Sequence, residues 1–375
     1  MIYLDYAASS PPFPEVIDRI SSVSTDAYGN PGALHSSGAQ ARKLLQESRF
    51  VLARTINVLP EEIFFTSGGT ESNNWAIRIG CSSAGKGHIV CFAAEHSSVL
   101  EPVRQMEQKG YAVTYLRPNR EGILSAEAVD AALRPDTALL CVQAVNNETG
   151  VLQDVEVLSQ IARRHRVPYF CDAVQSFGHL PQKLHCADLI SLSAHKLGGP
   201  RGVGCLVVRQ SVDATAMLLG GGQEFGYRSG TENLPGIAGF ALSAQLSCRE
   251  LAEEQSRLTE LRTLLEQALR RCCPDLEIAG ENAPRSSILC CRFPGIPAEE
   301  MVVRLDVRGI CTSPGAACAA GSGKPSHVLL SMGYSPREAA EFVRFSPGRN
   351  TTQAEIRQTA DAIAEIIQKR SQRHG

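Results

Sequence analysis

"VPYFCDAVQSFGHLPQKLHCADLISLSAHKLGGPRGVGCLVV", Val167–Val208, holds three short apolar runs separated by polar and Gly-rich stretches. "VPYFCDA", "DLISLS" and "GVGCLVV" are too short for helices and rich enough in Val, Ile, Leu and Phe to predict buried strands. Upstream the pattern recurs in "EIFFT" (Glu62 to Thr66), "HIVCFA" (His88 to Ala93), "AVTYL" (Ala112 to Leu116) and "ALLCVQAV" (Ala138 to Val145), with helix-like stretches between them. Short buried strands alternating with helices predict an α/β fold, with a mostly parallel sheet covered on both faces. Ligands on such sheets bind beyond the carboxyl ends of the strands, so the polar residues that follow each run are the candidate site residues.

Downstream the pattern changes. From Pro235 to Arg271 it is helical, with Leu258, Leu261, Leu265 and Leu269 on one face and Pro274 ending it. New short strands, "SSILCCRF" and "VRFSP", and a final amphipathic helix through Ile356, Ile363 and Ile366 predict a second, smaller α/β domain. The expected division is a large domain over 15–255 and a small one over 256–375 that also takes in 1–14.

The chain has 375 residues, 43% hydrophobic and 20% charged, so it is long enough for one large core and a smaller one. A formal net charge of −2 leaves no basic footprint for a nucleic acid, and a small ligand or a protein partner is expected instead. The start "MIYLDYAASSPP" lacks the charged and apolar regions of a signal peptide, and no run of about 18 apolar residues occurs. A soluble, cytoplasmic protein is therefore expected, with no membrane contact. The 13 cysteines are unevenly spaced and include no C-x-x-C, which reads as reduced thiols with no structural metal.

Three segments carry chemistry. "FFTSGGTESNN", Phe64 to Asn74, is strand, Gly-rich turn and helix start. Gly68 and Gly69 allow close backbone approach, the new helix offers free N–H groups, and Thr70 adds a hydroxyl, which together form a candidate phosphate cradle. An ordinary N-capped turn would look similar. No Gly-Lys-Ser/Thr follows, so it is not a Walker loop, and "GSGKPS" near Cys318 fails the same motif because Pro325 replaces the hydroxyl residue. "YFCDAVQS" puts Asp172 directly after a strand, where a buried carboxylate needs a cationic or N–H partner; a protonated pyridine nitrogen would serve, and a helix cap is the plainer reading. "SLSAHKLGGP" holds Ser193, His195 and Lys196, one of only seven lysines in the chain. A partly buried lysine loses pKa and becomes a Schiff-base nucleophile. Cradle, carboxylate and lysine on strand ends together describe a pyridoxal-phosphate site.

With these segments in place, "YLDYAASSP", "YGNPGALH", "TSGGTESNN", "EHSSV", "VNNETGVLQD", "DAVQSFG", "SLSAHKLGGPRGVG", "GGGQEFGYRSGTEN", "GAAC" and "VRFSPGR" resemble, in order, the signature segments of NifS/IscS-type cysteine desulfurases. These belong to the class V aminotransferase group of fold-type I pyridoxal-phosphate enzymes, and the match runs from Tyr3 to about Arg349. The resemblance implies a mostly parallel seven-stranded sheet in the large domain. It makes Lys196 the cofactor-bearing lysine and the base at Cα, Asp172 the partner of the pyridine nitrogen, Gln175 a contact of the phenolic oxygen, and His96 the ring that stacks on the cofactor and shuttles protons. Gly69, Thr70, Ser193 and His195 would hold the phosphate, with Thr231 reaching the site of the neighbouring subunit in a homodimer. Asn147 and Arg349 would bind the carboxylate of L-cysteine.

Cys318 aligns with the nucleophile that takes sulfur as a persulfide and passes it to an acceptor protein for iron–sulfur cluster assembly or thiolation. "TSPGAACAAGSGKPSH" resembles the longer of the family's two loop types, with Pro314 and Gly315 where Ser is more common, and Lys324 and His327 nearby. The loop is expected to carry Cys318 between the substrate and an acceptor. Two other readings are a selenocysteine lyase-like enzyme of the same group, which would not depend on Cys318, and a non-enzymatic scaffold, which would lack Lys196, Asp172, His96 and Arg349.

Overall fold

The structure, a computed structural model, describes residues 1–82, 87–315 and 325–374. Seven strands form the main sheet: β1 Ile63–Thr66, β2 His88–Phe92, β3 Ala112–Leu116, β4 Thr137–Cys141, β5 Tyr169–Asp172, β6 Leu189–Ser193 and β7 Gly204–Val208. Their order across the sheet is β1-β7-β6-β5-β4-β2-β3. The β2/β3, β2/β4, β4/β5 and β5/β6 pairs are parallel, whereas β7 is antiparallel to both β6 and β1. All seven apolar runs are strands. "AVTYL" is the one that is not buried: β3 lies at one edge of the sheet, whereas β1, at the other edge, is covered by Arg49, Trp75 and Glu224.

Strand periodicity sends alternate residues to opposite faces. Val90, Phe92 and Leu140 pack on one side, and Ile89, Cys91, Leu139 and Cys141 on the other. Helices cover both faces. On the first, α1 (Pro14–Asp26), α2 (Ser36–Ile56) and a later helix over Leu234–Arg249 form one core, with Leu52 and Phe240 fully buried. On the second lie α3 (Gly69–Gly80) and α4 (Ser97–Gln108), contributing Trp75, Ile79, Val99 and Val103.

The stretch expected to be one helix from Pro235 is two, α5 (Leu234–Arg249) and α6 (Leu251–Cys272), which meet at Glu250. No Gly or Pro marks this break in the sequence. The four leucines predicted for one face of α6 are all buried, in a separate core shared with β8 (Glu277–Ile278), β9 (Leu289–Arg292), β11 (Phe342–Phe345) and α7 (Gln353–His374), while β10 (Ser313–Pro314) pairs alongside β11. These four strands form their own sheet in the order β10-β11-β9-β8, and Ile2 and Leu4 from the start of the chain pack in the same core. Among the described residues no helix is long and apolar enough to cross a membrane.

The topology decides where the site falls. Strands β2, β4, β5 and β6 run parallel, so the residues after them emerge at one edge. Two successive antiparallel pairings return β1 to the direction of β6, which brings the turn at Ser67–Thr70 to that same edge.

Candidate active site

The floor of the site is built around Asp172, at the end of β5 and 8% exposed. Its carboxylate accepts from Asn73 Nδ2 at 2.7 Å and from the Val174 backbone N–H at 3.0 Å. Asn73, on α3, also donates to Ser98 Oγ at 2.7 Å, and Ser98 Oγ lies 2.7 Å from His96 Nδ1. The Ser98 backbone N–H donates to the same Nδ1 at 3.1 Å, which makes Nδ1 an acceptor and places the ring proton on Nε2. Burial, partly opposed by Asp172 and reinforced by Lys196 and His327, lowers the His96 pKa, so the neutral ring is favoured. A continuous chain thus joins Asp172, Asn73, Ser98 and His96. Asn73 Oδ1 is buried and accepts no hydrogen bond among the described residues.

Beside this floor, Gly68 (φ 149°) and Gly69 open α3 against the β6 turn. A Cβ on Gly69 would stand 2.9 Å from Val174 Cγ2, so only glycine lets the turn lie this close. A cleft of about 420 Å³ follows, lined by Ser9, Gly68, Gly69, Thr70, Ser193, His195 and Arg201 among others. Glu71, the acidic residue on its rim, is neutralised by Arg228 at 2.9 Å and accepts from the Ser67 N–H at 2.8 Å. His195, desolvated and next to Lys196 and Arg201, has its pKa pushed down to about 4 and is neutral.

Lys196 Nζ donates to the carbonyl oxygens of Ala7 at 2.6 Å and Ala8 at 2.9 Å, and Gln175 Nε2 donates to Ala7 O at 2.8 Å. Both side chains line a second cavity, of about 260 Å³, together with Tyr6, Phe13, His179 and Arg349. The strip Tyr6–Ser9 borders both cavities.

The sequence-derived residues therefore fall into groups. Gly69, Thr70, Ser193 and His195 share the cleft, Asp172 and His96 share one hydrogen-bond chain, and Lys196, Gln175 and Arg349 share the second cavity. Asn147 follows β4 on a loop organised by Asn146, whose Oδ1 accepts from Glu148 N and Thr149 N. Its carbonyl accepts from the buried Arg344 at 2.8 Å, and it lines neither cavity. Thr231 is exposed and also lines neither; its segment is anchored by the Arg228–Glu71 pair and by Glu224, which is buried against Arg49 at 2.6 Å. Cys318 and Lys324, and with them the expected carrier motion, lie outside the described residues. His327 is half-buried, with Nε2 2.8 Å from Glu95 O.

Sequence reasoning missed Asn73, Ser98 and Arg344. Asn73 was within reach, since it stands four residues after Gly69 and so on the same face of α3.

The aminotransferase class-V family matches residues 2–359. A protein named cysteine desulfurase IscS from Dictyoglomus turgidum is 37% identical over 98% of this chain and 95% of its own length. Among solved structures, a NifS-like protein superposes with a TM-score of 0.92 at 31% identity, covering 98% of this chain and 99% of the other. A structure described as SspA in complex with cysteine matches with a TM-score of 0.82 at 32% identity, covering 94% and 100%. Matches of that extent and identity, on a sheet whose strand ends carry the lysine, carboxylate and glycine turn of the motif segments, mean that the chain belongs to the aminotransferase class-V family, within its NifS/IscS-type cysteine desulfurases.

Proposed function

We propose that this chain is a pyridoxal-phosphate-dependent cysteine desulfurase, which converts L-cysteine to L-alanine and transfers the sulfur to Cys318. The observation that carries the reading is the arrangement at one sheet edge: a carboxylate chained to a neutral histidine, a lysine, and a glycine-opened cleft lined by hydroxyls, a neutral histidine and Arg201.

The residues present fit the cofactor. Asp172 keeps a carboxylate 8% exposed on the floor, and Asn73 Oδ1 leaves a buried acceptor beside it, which suits a cationic ring nitrogen. The turn that a Cβ at Gly69 would push off Val174 borders a cleft that suits a phosphate, which Gly69, Thr70, Ser193 and His195 would hold. His96 would cover the ring, Gln175 would meet the phenolic oxygen, and Lys196 would carry the cofactor covalently. When bound, pyridoxal phosphate supplies an electron sink for a carbanion at the substrate's Cα.

The chain's own groups do the rest. The Lys196 amine, which would hold the cofactor, would also serve as the base for the Cα proton. His96, with its proton on Nε2, donates there and cannot compete as a base through Nδ1, which is occupied by Ser98. Asn147 and Arg349 would hold the substrate carboxylate, which orients Cα toward Lys196. Cys318 thiolate then attacks the substrate sulfur: an S–S bond forms, the Cβ–S bond breaks with its electron pair going to carbon, and a proton completes alanine.

The proposal includes a cytoplasmic homodimer in which Thr231 serves the partner's phosphate site, a sulfur-acceptor protein in iron–sulfur cluster assembly or thiolation, and domains over 15–255 and 256–375 with 1–14. The test is to incubate purified protein with pyridoxal phosphate and L-cysteine, then measure alanine and Cys318 persulfide. Equimolar alanine and sulfur, abolished in Cys318→Ala, is the expected result. Undiminished sulfur release in that variant would overturn it.

A further inference from the structure

Arg349 is held in two unlike ways. Its backbone is fixed: Arg257 donates to Gly348 O at 2.9 Å, Arg349 O at 3.0 Å and Thr351 O at 2.8 Å, and is itself paired with Glu254 at 2.8 Å. Gly348 is packed so tightly on the Tyr6 ring that a Cβ there would overlap it at 2.1 Å, and Thr351 Oγ1 accepts from Gly348 N. The Arg349 side chain, by contrast, is 45% exposed. It lies over the Phe13 ring at 4.6 Å and forms an ion pair with Glu250 Oε2 at 2.5 Å. Phe13 is itself wedged against Gly198, two residues from Lys196, so this platform is part of the lysine turn.

Glu250 is the residue where α5 breaks into α6, and it lines the same cavity as Lys196, Gln175 and Arg349. Its other oxygen pairs with Arg249 at 2.9 Å, so it has a cation to fall back on when Arg349 departs. A guanidinium pre-bound to a carboxylate of the protein can take a ligand carboxylate only by exchange, one planar acceptor for another.

We propose that Glu250 is the resting partner of Arg349, displaced by the substrate's α-carboxylate, and that it thereby sets apparent substrate affinity without entering the chemistry. The inference rests on Arg349 as the carboxylate ligand. If only a fraction of molecules have Arg349 released, every α-carboxylate ligand binds more weakly by that fraction. The loss is the same in the ground and transition states, so it falls on KM and not on kcat. Glu250 is a positioning residue in this scheme.

The experiment uses the holoenzyme. KM and kcat for L-cysteine, and calorimetric dissociation constants for L-alanine and L-alaninamide, are measured for the wild type, Glu250→Gln, Glu250→Asp and Arg349→Lys. Glu250→Gln should lower KM and the L-alanine dissociation constant about 1.5- to 5-fold, the range set by a partly exposed ion pair, with kcat unchanged. L-Alaninamide, which has no carboxylate, should gain nothing, and Glu250→Asp should restore wild-type values. An unchanged or raised KM in Glu250→Gln, or an equal gain for the amide, overturns the proposal. If Arg349→Lys changes neither KM nor alanine affinity, the reading of Arg349 fails instead, and the two failures are told apart. Should Glu250→Gln not fold, Glu250→Ala replaces it with the same expectations.

Discussion

Asp172 and Arg349 are two charged groups of the candidate site, and the fold treats them oppositely. Asp172 ends a central strand, is 8% exposed and accepts two hydrogen bonds from groups that cannot move, a helix-borne amide and a backbone N–H. Arg349 follows β11, an inner strand of the small sheet, has a rigid backbone and an exposed side chain, and is paired with a carboxylate that has a second cation in hand. The difference fits what the proposed function asks each to bind. A resident cofactor is served by preorganised charge, which costs no reorganisation at the moment of reaction. A substrate that arrives and leaves each cycle is better served by a contact that exchanges.

The comparison can be broken in graded steps. On the proposed mechanism Lys196→Ala removes both the covalent attachment and the base, and kcat should fall on the order of 10³-fold or more, with the absorbance of lysine-bound pyridoxal phosphate lost; a variant retaining that band and turnover would remove Lys196 from the mechanism. Asp172→Asn keeps the shape of the floor but deletes its charge, and should cost about 10²- to 10³-fold in kcat with alanine affinity little changed. That is the signature of a preorganised group. Arg349→Lys keeps charge but loses the two-pronged contact, and should cost about 10- to 100-fold in kcat/KM, mostly through KM. If the two variants shifted the same kinetic constant, the contrast drawn between them would collapse.

The smallest effect isolates burial from donors. Glu148 is buried like Asp172, but among the described residues its carboxylate accepts from a single hydroxyl, Ser326 Oγ, with Arg344 nearby, and desolvation raises its pKa to about 7. Between the ordinary carboxyl pKa and about 7 the folded state holds a proton that the unfolded state has lost. Stability should therefore fall as pH rises through that window, by at most about 1.4 kcal/mol per pH unit. Glu148→Gln should flatten this slope in urea titrations from pH 5 to 7.5. A wild-type slope of the opposite sign would show that Glu148 is ionised in the fold.

Much of this was legible in the chain. Lys196, Asp172 and the Gly68–Gly69 turn each follow an apolar run directly, and a run of five residues is a local signal that survives whatever surrounds it. Leu258 to Leu269 were readable as a buried face because helical periodicity is also local. Asn73 was not, since its importance comes from Asp172, 99 residues further along the chain. The break at Glu250 was invisible for a similar reason. Nothing in "LSCRELAEE" disfavours a helix, and the chain turns there because α5 packs on the large core while α6 serves the small one.

By itself the sequence determined which chemical groups stand at the strand ends, because apolar runs, glycine turns and the residues that follow them are set by short-range sterics and hydration. Only the tertiary structure decided how they meet. Two antiparallel pairings bring the glycine turn to the edge that holds Lys196, a helix face carries Asn73 to Asp172, and the junction of two cores puts Glu250 against Arg349. Each of those contacts depends on packing between segments far apart in the chain, which no local pattern encodes.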